Sequence, residues 1–164
     1  MATVVELARQ GKLFKLDPML DSHQQEFRVL YASPRLKKWI DETLPNLGST
    51  WNIELAPAEQ LDGFMATYAS DEPLMFGQGF KPLNHLGQGV WELKTADLRV
   101  FGWFSARDWF IGHAADTTDR IKQHNLYHGY AGEVVRFRTH LDLDEPKFVP
   151  GDDPNAVVSN FDYP

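Results

Sequence analysis

The chain has 164 residues, and 16 Lys and Arg against 23 Asp and Glu give it a formal net charge of −7. Hydrophobic residues make up 43% and aromatic residues 13% of the chain, which is enough for the core of one folded domain and excludes disorder for most of it. The absence of cysteine excludes disulfide scaffolds, thiol nucleophiles and Cys-ligated metal sites. No window approaches the ~18 uninterrupted apolar residues of a membrane span, so we expect a cytoplasmic protein with no membrane partner.

Charge is distributed unevenly along the chain. Residues 1–80 hold 7 basic and 11 acidic side chains, residues 81–140 hold 8 and 6, and residues 141–164 hold 1 and 6. Phosphate contacts supply most non-specific affinity for nucleic acids, so an acidic protein is not expected to bind DNA. A patch that binds RNA would have to lie in the middle segment, which also carries five of the six histidines: His85, His113, His124, His128 and His140.

The first half of the chain predicts one strand and two helices. Residues 26–32 alternate apolar and polar side chains, as in a half-buried strand. Ser33 and Pro34 suit the N-cap and first turn of a helix, and a second helix begins near Pro57. Each helix has one apolar face, formed by Leu36, Trp39, Ile40, Thr43 and Leu44 in the first and by Leu61, Phe64, Met65 and Tyr68 in the second.

The second half begins with alternating residues at 90–94, 98–104 and 108–113, separated by short turns, which predict a three-stranded antiparallel meander. A helix should follow from Thr117 to about Gly132, and the alternation at 135–143 favours a further strand. Four prolines and five acids in 144–164 predict an extended, poorly packed tail.

These elements predict an α+β fold with two N-terminal helices packed on an antiparallel meander, followed by an additional C-terminal helix and strand. We expect a single domain over residues 1–143, with its core in 26–115, and an acidic Pro-rich tail over 144–164. The apolar residues of the tail should hold it against a surface. That surface is either the basic middle segment, where the tail would be autoinhibitory, or a partner protein.

Two stretches in and just before this meander together form a motif. Residues 80–94 read Phe-Lys-Pro-Leu-Asn-His-Leu-Gly-Gln-Gly-Val-Trp-Glu-Leu-Lys, and residues 98–104 read Leu-Arg-Val-Phe-Gly-Trp-Phe. Together they resemble the RelE/ParE toxin superfamily, in particular its RelE/HigB and phage-derived host-toxin branches. The resemblance covers residues 80–115 and, more loosely, 26–115.

The resemblance implies a RelE-like toxin fold whose concave sheet receives RNA. It implies a metal-independent endoribonuclease, without cofactor, that cuts ribosome-bound messenger when a ribose 2′-hydroxyl attacks the adjacent phosphate. The implied partners are RNA or the ribosome and an antitoxin or host protein. This chemistry needs a proton acceptor, cations at the phosphate and a proton donor for the leaving oxygen.

Matching the family's strands implies a set of site residues. Arg99 would stabilise the phosphate, His113 would transfer a proton, and Arg120 and Tyr127 would complete the catalytic set. The RNA-binding cations would be Lys81, Lys94, Arg107 and Lys122. Asp116 and Asp119 stand where relatives carry a Lys-rich run.

Several of these residues could instead have a purely structural role. Arg99 could pair with Glu92 or Asp97 across the hairpin. His113 could cap a strand end or hydrogen-bond in the core, while Arg120 and Lys122 could lie on a solvated helix face. His124 and His128 have the four-residue spacing of a zinc helix, but no Glu stands between them in the useful position, and we predict no metal site.

Two other function classes stay open. The first is a non-catalytic phage or mobile-element protein of the same fold, which binds a host protein through its acidic surface or tail. The second is a structural component of a virion or other assembly, suggested by the aromatic strands and extended termini. The charge of the chain favours an interaction protein, whereas the motif favours the endoribonuclease.

Overall fold

A computed structural model describes residues 1–51, 53–83 and 88–164. The chain is α+β, with six α-helices and a mixed six-stranded sheet in these ranges. None of the helices described there is long and apolar enough to cross a membrane. Residues 84–87, in the middle of the motif at 80–94, lie outside the described ranges.

Helices and strands occur in runs along the chain, and the described residues include five consecutive strands between Ala69 and Thr118. The helices are α1 (Val4–Arg9), α2 (Pro34–Glu42), α3 (Pro57–Ala69), α4 (Thr118–His124), α5 (Tyr127–His140) and α6 (Pro154–Val157), with a 3₁₀ turn at Leu44–Asn46. The strands are β1 (Phe14–Lys15), β2 (Val29–Ala32), β3 (Leu74–Met75), β4 (Phe80–Pro82), β5 (Trp91–Lys94), β6 (Leu98–Ala106), β7 (Trp109–Thr117) and β8 (Phe161–Asp162).

The large sheet has the strand order β1-β2-β7-β6-β5-β4. The predicted meander is confirmed as the antiparallel strands β5, β6 and β7, although β7 continues four residues beyond the predicted end, to Thr117. Strand β2 pairs parallel to β7, which makes the sheet mixed. Strand β2 ends opposite Gly112, so α2 begins next to the middle of β7, and the last five residues of β7 continue beyond β2.

A β-bulge interrupts the pairing of β6 and β7. Phe101 faces Ala114 and Gly102 faces Gly112, so His113 is an extra residue on β7. A Cβ atom at Gly102 would lie 2.0 Å from the carbonyl oxygen of Ile111. The strands can approach this closely only because residue 102 has no side chain.

The sheet has an apolar core on each face. On one face it packs against α2, α3 and the C-terminal segment, with buried residues that include Leu36, Leu61, Tyr68, Val100 and Phe104. On the other face it packs against α1, α4 and α5, with buried residues that include Leu7, Phe101, Trp103, Ile121 and Val134. The alternation of β6 explains this division, since Phe101 and Trp103 lie in one core and Val100 and Phe104 lie in the other.

The predicted strand at 135–143 is wrong. The chain leaves α4 at Asn125, which has a left-handed φ of 52°, and then forms α5, which continues to His140. Ala131, Val134 and Arg138 are buried at spacings of three and four, which is the period of a helix packed on one face. The alternating apolar residues at 135–141 fit this helix as well as a strand, so the pattern could not distinguish the two.

The prediction that residues 144–164 are poorly packed is also wrong. Val157 and Val158 are 1% and 0% exposed, and β8 pairs with β3. The buried guanidinium of Arg28 fixes this segment by donating to the carbonyls of Ser159 at 2.9 Å and Asn160 at 3.0 Å. The same guanidinium donates to the carbonyls of Tyr68, Ser70 and Glu72 at 2.7–2.9 Å, and so joins β2, the end of α3 and the C-terminal segment.

We expect Gly102→Ala to lower the free energy of unfolding by at least about 2 kcal/mol, because its Cβ would overlap the backbone of β7. Gly132→Ala is the matched control, since a Cβ at this position in α5 meets nothing within 4 Å. Alanine is the better helix former, so this control should be neutral or gain up to about 1 kcal/mol. Urea denaturation measures the free energy of unfolding of both variants. Equal stabilities of Gly102→Ala and Gly132→Ala would contradict the close approach of β6 and β7.

Candidate functional site

The middle of β7 is joined to the start of α2 through Ser33. The Ser33 backbone N–H donates to the carbonyl of Gly112 at 2.8 Å, and its hydroxyl caps α2 by accepting from Leu36 N–H at 3.2 Å. The same hydroxyl lies 2.9 Å from Nδ1 of His113. The predicted N-cap of α2 is thus also the contact that holds His113 beside the helix.

His113 lies at the bulge and is 8% exposed. Its ring stacks on Phe137 of α5, with 4.4 Å between the ring centroids. Burial, assisted by the positive charge of Arg35, lowers the pKa of His113 from 6.5 to about 4. The imidazole is therefore neutral at neutral pH, where it can accept a proton but is a poor donor.

Asp116 organises the next part of the site. Its Oδ2 accepts a hydrogen bond from the Tyr130 hydroxyl at 2.6 Å and another from Nε of Arg120 at 3.1 Å. Burial, together with the hydrogen bond and charge of Asp116, raises the pKa of Tyr130 to about 12. Asp116 therefore orients the guanidinium of Arg120 at the edge of the site.

These residues line a pocket of about 250 Å³ between α2 and the end of β7. Arg35 enters from α2, ion-paired with Glu133, and its guanidinium carbon lies 5.9 Å from the centre of the Tyr130 ring. The lining combines two arginines and an indole with three groups that can exchange or hold protons: Arg35, Arg120, Trp39, His113, Asp116 and Tyr130. Such a lining suits an anionic ligand that carries a flat ring.

A second group of charged residues surrounds Glu92 on β5. Glu92 is 1% exposed, and Nζ of Lys81 lies 3.9 Å from its Oε1. Within the described ranges, neither carboxylate oxygen of Glu92 accepts a hydrogen bond, and Nε of Arg99 donates none. Burial raises the pKa of Glu92, while the positive charges of Arg99, Lys81, Lys94 and Lys122 oppose that rise.

Arg99 has a structural role at the β5–β6 turn. It is 8% exposed, and its Nη1 donates to the carbonyls of Thr95 at 2.8 Å and Leu98 at 2.9 Å. Asp97 is not its partner, because that carboxylate accepts from Ser49 and Gln60. Replacing Arg99 would disturb the turn, so such a variant cannot separate chemistry from folding.

The structure brings most of the predicted site residues to one end of the sheet, in two groups. His113 and Arg120 line the pocket, whereas the charges of Lys81, Lys94, Arg99 and Lys122 act on Glu92. Tyr127 belongs to this second group, because burial and the charge of Glu92 raise its pKa. The rings of Tyr127 and Tyr130 both contact Phe101, at centroid distances of 5.8 Å and 5.5 Å, and so join the two groups.

Arg107 does not join either group. It lies in the exposed β6–β7 turn, roughly 27 Å along β6 from Arg99 at the usual rise per residue of a strand. His124 and His128 are not on one helix, because the left-handed Asn125 separates α4 from α5. The part of the chain described shows no group of three His, Asp or Glu residues that could hold a metal.

Glu92 and Arg35 were not predicted as site residues, and neither were the hydrogen bonds that Asp116 accepts from Tyr130 and Arg120. A signal for Glu92 was present, since alternation along β5 and β6 places it on the face of Arg99 and Phe101. The sequence contains no signal for Arg35, because its place at the pocket depends on the parallel pairing of β2 and β7. The hydrogen bond between Asp116 and Tyr130 depends on how α5 packs against β7, and the spacing of residues in the sequence does not show that packing.

Because the folded pKa of His113 is lowered, the unfolded chain binds its proton first as the pH falls below 6.5. We expect the wild type to lose about 3 kcal/mol of unfolding free energy between pH 6.5 and about 4 through this residue. His113→Gln should lack this loss, whereas the exposed His124→Gln should retain it. Chemical denaturation across this pH range measures the difference, and parallel curves for wild type and His113→Gln would show that His113 is not buried as described.

Comparison of the chain with protein-family models, curated proteins and solved structures finds no match in any of the three. The functional assignment therefore rests on the residues and geometry of the site itself. The resemblance of residues 80–115 to the RelE/ParE superfamily stays a prediction from the sequence.

Proposed function

We propose that the protein binds single-stranded RNA at the pocket and cleaves it without a metal, as a RelE-like toxin or toxin relative. The observation that carries the proposal is the Asp116 carboxylate, which holds Arg120 and Tyr130 in the pocket that His113 also lines. A cation at the phosphate and a neutral base beside it are two of the groups that the reaction needs.

The pocket has the parts that bind a nucleotide. Arg35 and Arg120, with 49% and 59% of their side chains exposed, offer guanidinium groups to phosphate oxygens. Trp39 offers an indole on which a base can stack. Lys81 and Lys122 are at least partly exposed near the second group and extend the positive surface along which the RNA backbone would run.

The proposed reaction forms a bond from the ribose 2′-oxygen to phosphorus and breaks the bond to the 5′-oxygen. The neutral imidazole of His113 accepts the 2′-hydroxyl proton, and Arg120 stabilises the negative charge that develops on the phosphate oxygens. The leaving 5′-oxygen takes its proton from solvent. The products are a 2′,3′-cyclic phosphate and a 5′-hydroxyl.

The architecture supports a RelE-like assignment. Helices α2 and α3 lie between β2 and the meander in the chain, and both pack on the sheet, as the resemblance implies. Strands β5 and β6, which carry the second half of the motif, form the expected hairpin.

A non-catalytic RelE-like protein is the second candidate, favoured by the ion pairs of the pocket. Both pocket arginines already have carboxylate partners, Asp116 for Arg120 and Glu133 for Arg35. These carboxylates offset the positive charge of the two arginines, so the pocket attracts phosphate less strongly. A pocket with paired charges of both signs suits a protein partner. Binding of a protein partner without cleavage of RNA would favour this candidate.

Arg120→Ala should test the proposed function, with Arg107→Ala as the matched control. Both arginines are exposed, but only Arg120 lines the pocket. We expect Arg120→Ala to weaken binding of a single-stranded RNA about tenfold and to reduce the dependence of log affinity on log salt by about one. Arg107→Ala should bind as the wild type does. Equal losses for both variants would contradict RNA binding at the pocket.

A further inference from the structure

The connection between α2 and α3 exposes a group of large apolar side chains. Trp51, Ile53 and Leu55 are 57%, 39% and 48% exposed. Glu54 lies among them, and Glu59 and Asp62 are exposed on the first turns of α3. We call these six residues the acidic–apolar surface. Exposed apolar side chains grouped in this way are typical of sites that contact another molecule.

Charge distinguishes this surface from the rest of the molecule. Residues 39–80 contain no Lys, Arg or His, and their seven acids are Asp41, Glu42, Glu54, Glu59, Asp62, Asp71 and Glu72. Asp41 and Glu42 are paired with Lys37 and Lys38 within α2. In residues 1–51, 53–83 and 88–164, no ion pair neutralises Glu54, Glu59 or Asp62.

Hydrogen bonds to Asp97, which is 2% exposed, hold the start of this connection. The Ser49 hydroxyl donates to its carboxylate at 2.7 Å, and the Thr50 backbone N–H donates at 3.2 Å. Gln60 of α3 donates to the same carboxylate at 2.6 Å. Trp51 directly follows these anchored residues, so the backbone that presents its indole is ordered before any partner binds.

We propose that the acidic–apolar surface binds a Lys/Arg-rich amphipathic segment of another protein. An exposed Trp flanked by aliphatic side chains supplies the apolar anchor of such an interface, and the three unneutralised acids select a basic partner. The same acids repel RNA, so this surface differs in ligand from the pocket. The proposal does not depend on RNA cleavage.

The surface nevertheless borders the pocket. Leu47 lines the pocket, and Ser49, two residues later, begins the anchored connection. A protein bound to Trp51 would therefore lie beside any RNA held by Arg120. A second copy of this chain is a weaker occupant, because its net charge of −7 opposes contact with an acidic surface.

The test uses the full chain and a fluorescent peptide of about 18 residues that alternates Leu and Lys faces as an amphipathic helix. A peptide with Glu in place of every Lys is the charge control. We expect Trp51→Ala to weaken binding of the basic peptide about tenfold, and Glu54→Lys with Asp62→Lys to weaken it similarly. Phe27→Ala, which removes another exposed aromatic side chain at 50% exposure, should leave the affinity unchanged.

Two results with the peptides would overturn the proposal. They are equal binding of the Lys and Glu peptides, or equal affinities for Trp51→Ala and Phe27→Ala. A concentration-dependent dimer that Trp51→Ala abolishes, seen by sedimentation without peptide, would assign the surface to a second copy and would also overturn it.

Discussion

The close approach of β6 and β7 at Gly102 determines where the rest of the sheet presents its side chains. With no room for a Cβ at this position, the ladder accommodates one extra residue on β7, and that residue is His113. The bulge turns the imidazole toward Phe137 of α5. Asp116 then lies opposite Arg99 and reaches Tyr130 and Arg120. The pocket and the two apolar cores therefore depend on the same irregular register.

Buried or half-buried carboxylates organise much of the molecule around this sheet. Asp116 holds the Arg120 side chain, Asp97 holds the connection to α3, and Glu92 lies within a group of cations. A chain with net charge −7 thus concentrates positive charge at one end of its sheet. Among the described surface acids that form no ion pair, Glu54, Glu59 and Asp62 lie together on the connection to α3 and on its first turns. This separation of charge is what would allow one acidic protein to bind RNA on one surface and a basic protein segment on another.

Local patterns in the sequence predicted the local structure well. Ser33 and Pro34 start α2, the apolar face of α3 is buried at Leu61, Met65 and Tyr68, and the β5–β6 hairpin has the expected pairing. The alternation of β6 also explains how its residues divide between the two cores. These features depend on residues close together in the chain, whose spacing the sequence shows directly.

Features that depend on distant residues could not be predicted. The parallel pairing of β2 with β7 places Arg35 at the pocket, and Arg28 bonds to carbonyls more than 130 residues away. The C-terminal segment is acidic and Pro-rich in sequence, yet Val157 and Val158 fill the core beneath α3. At residues 135–141 the apolar spacing matched both a strand and the observed helix, and only the packing of Ala131 and Val134 decided between them.

Analysis of RNA ends tests whether the protein cleaves RNA without a metal ion. The purified chain is incubated with a single-stranded RNA in excess chelator, and the fragment ends are identified by mass spectrometry. Our account predicts cleavage that persists in chelator and leaves 2′,3′-cyclic phosphate and 5′-hydroxyl ends. Intact RNA, or fragments that carry 3′-hydroxyl ends, would contradict the account.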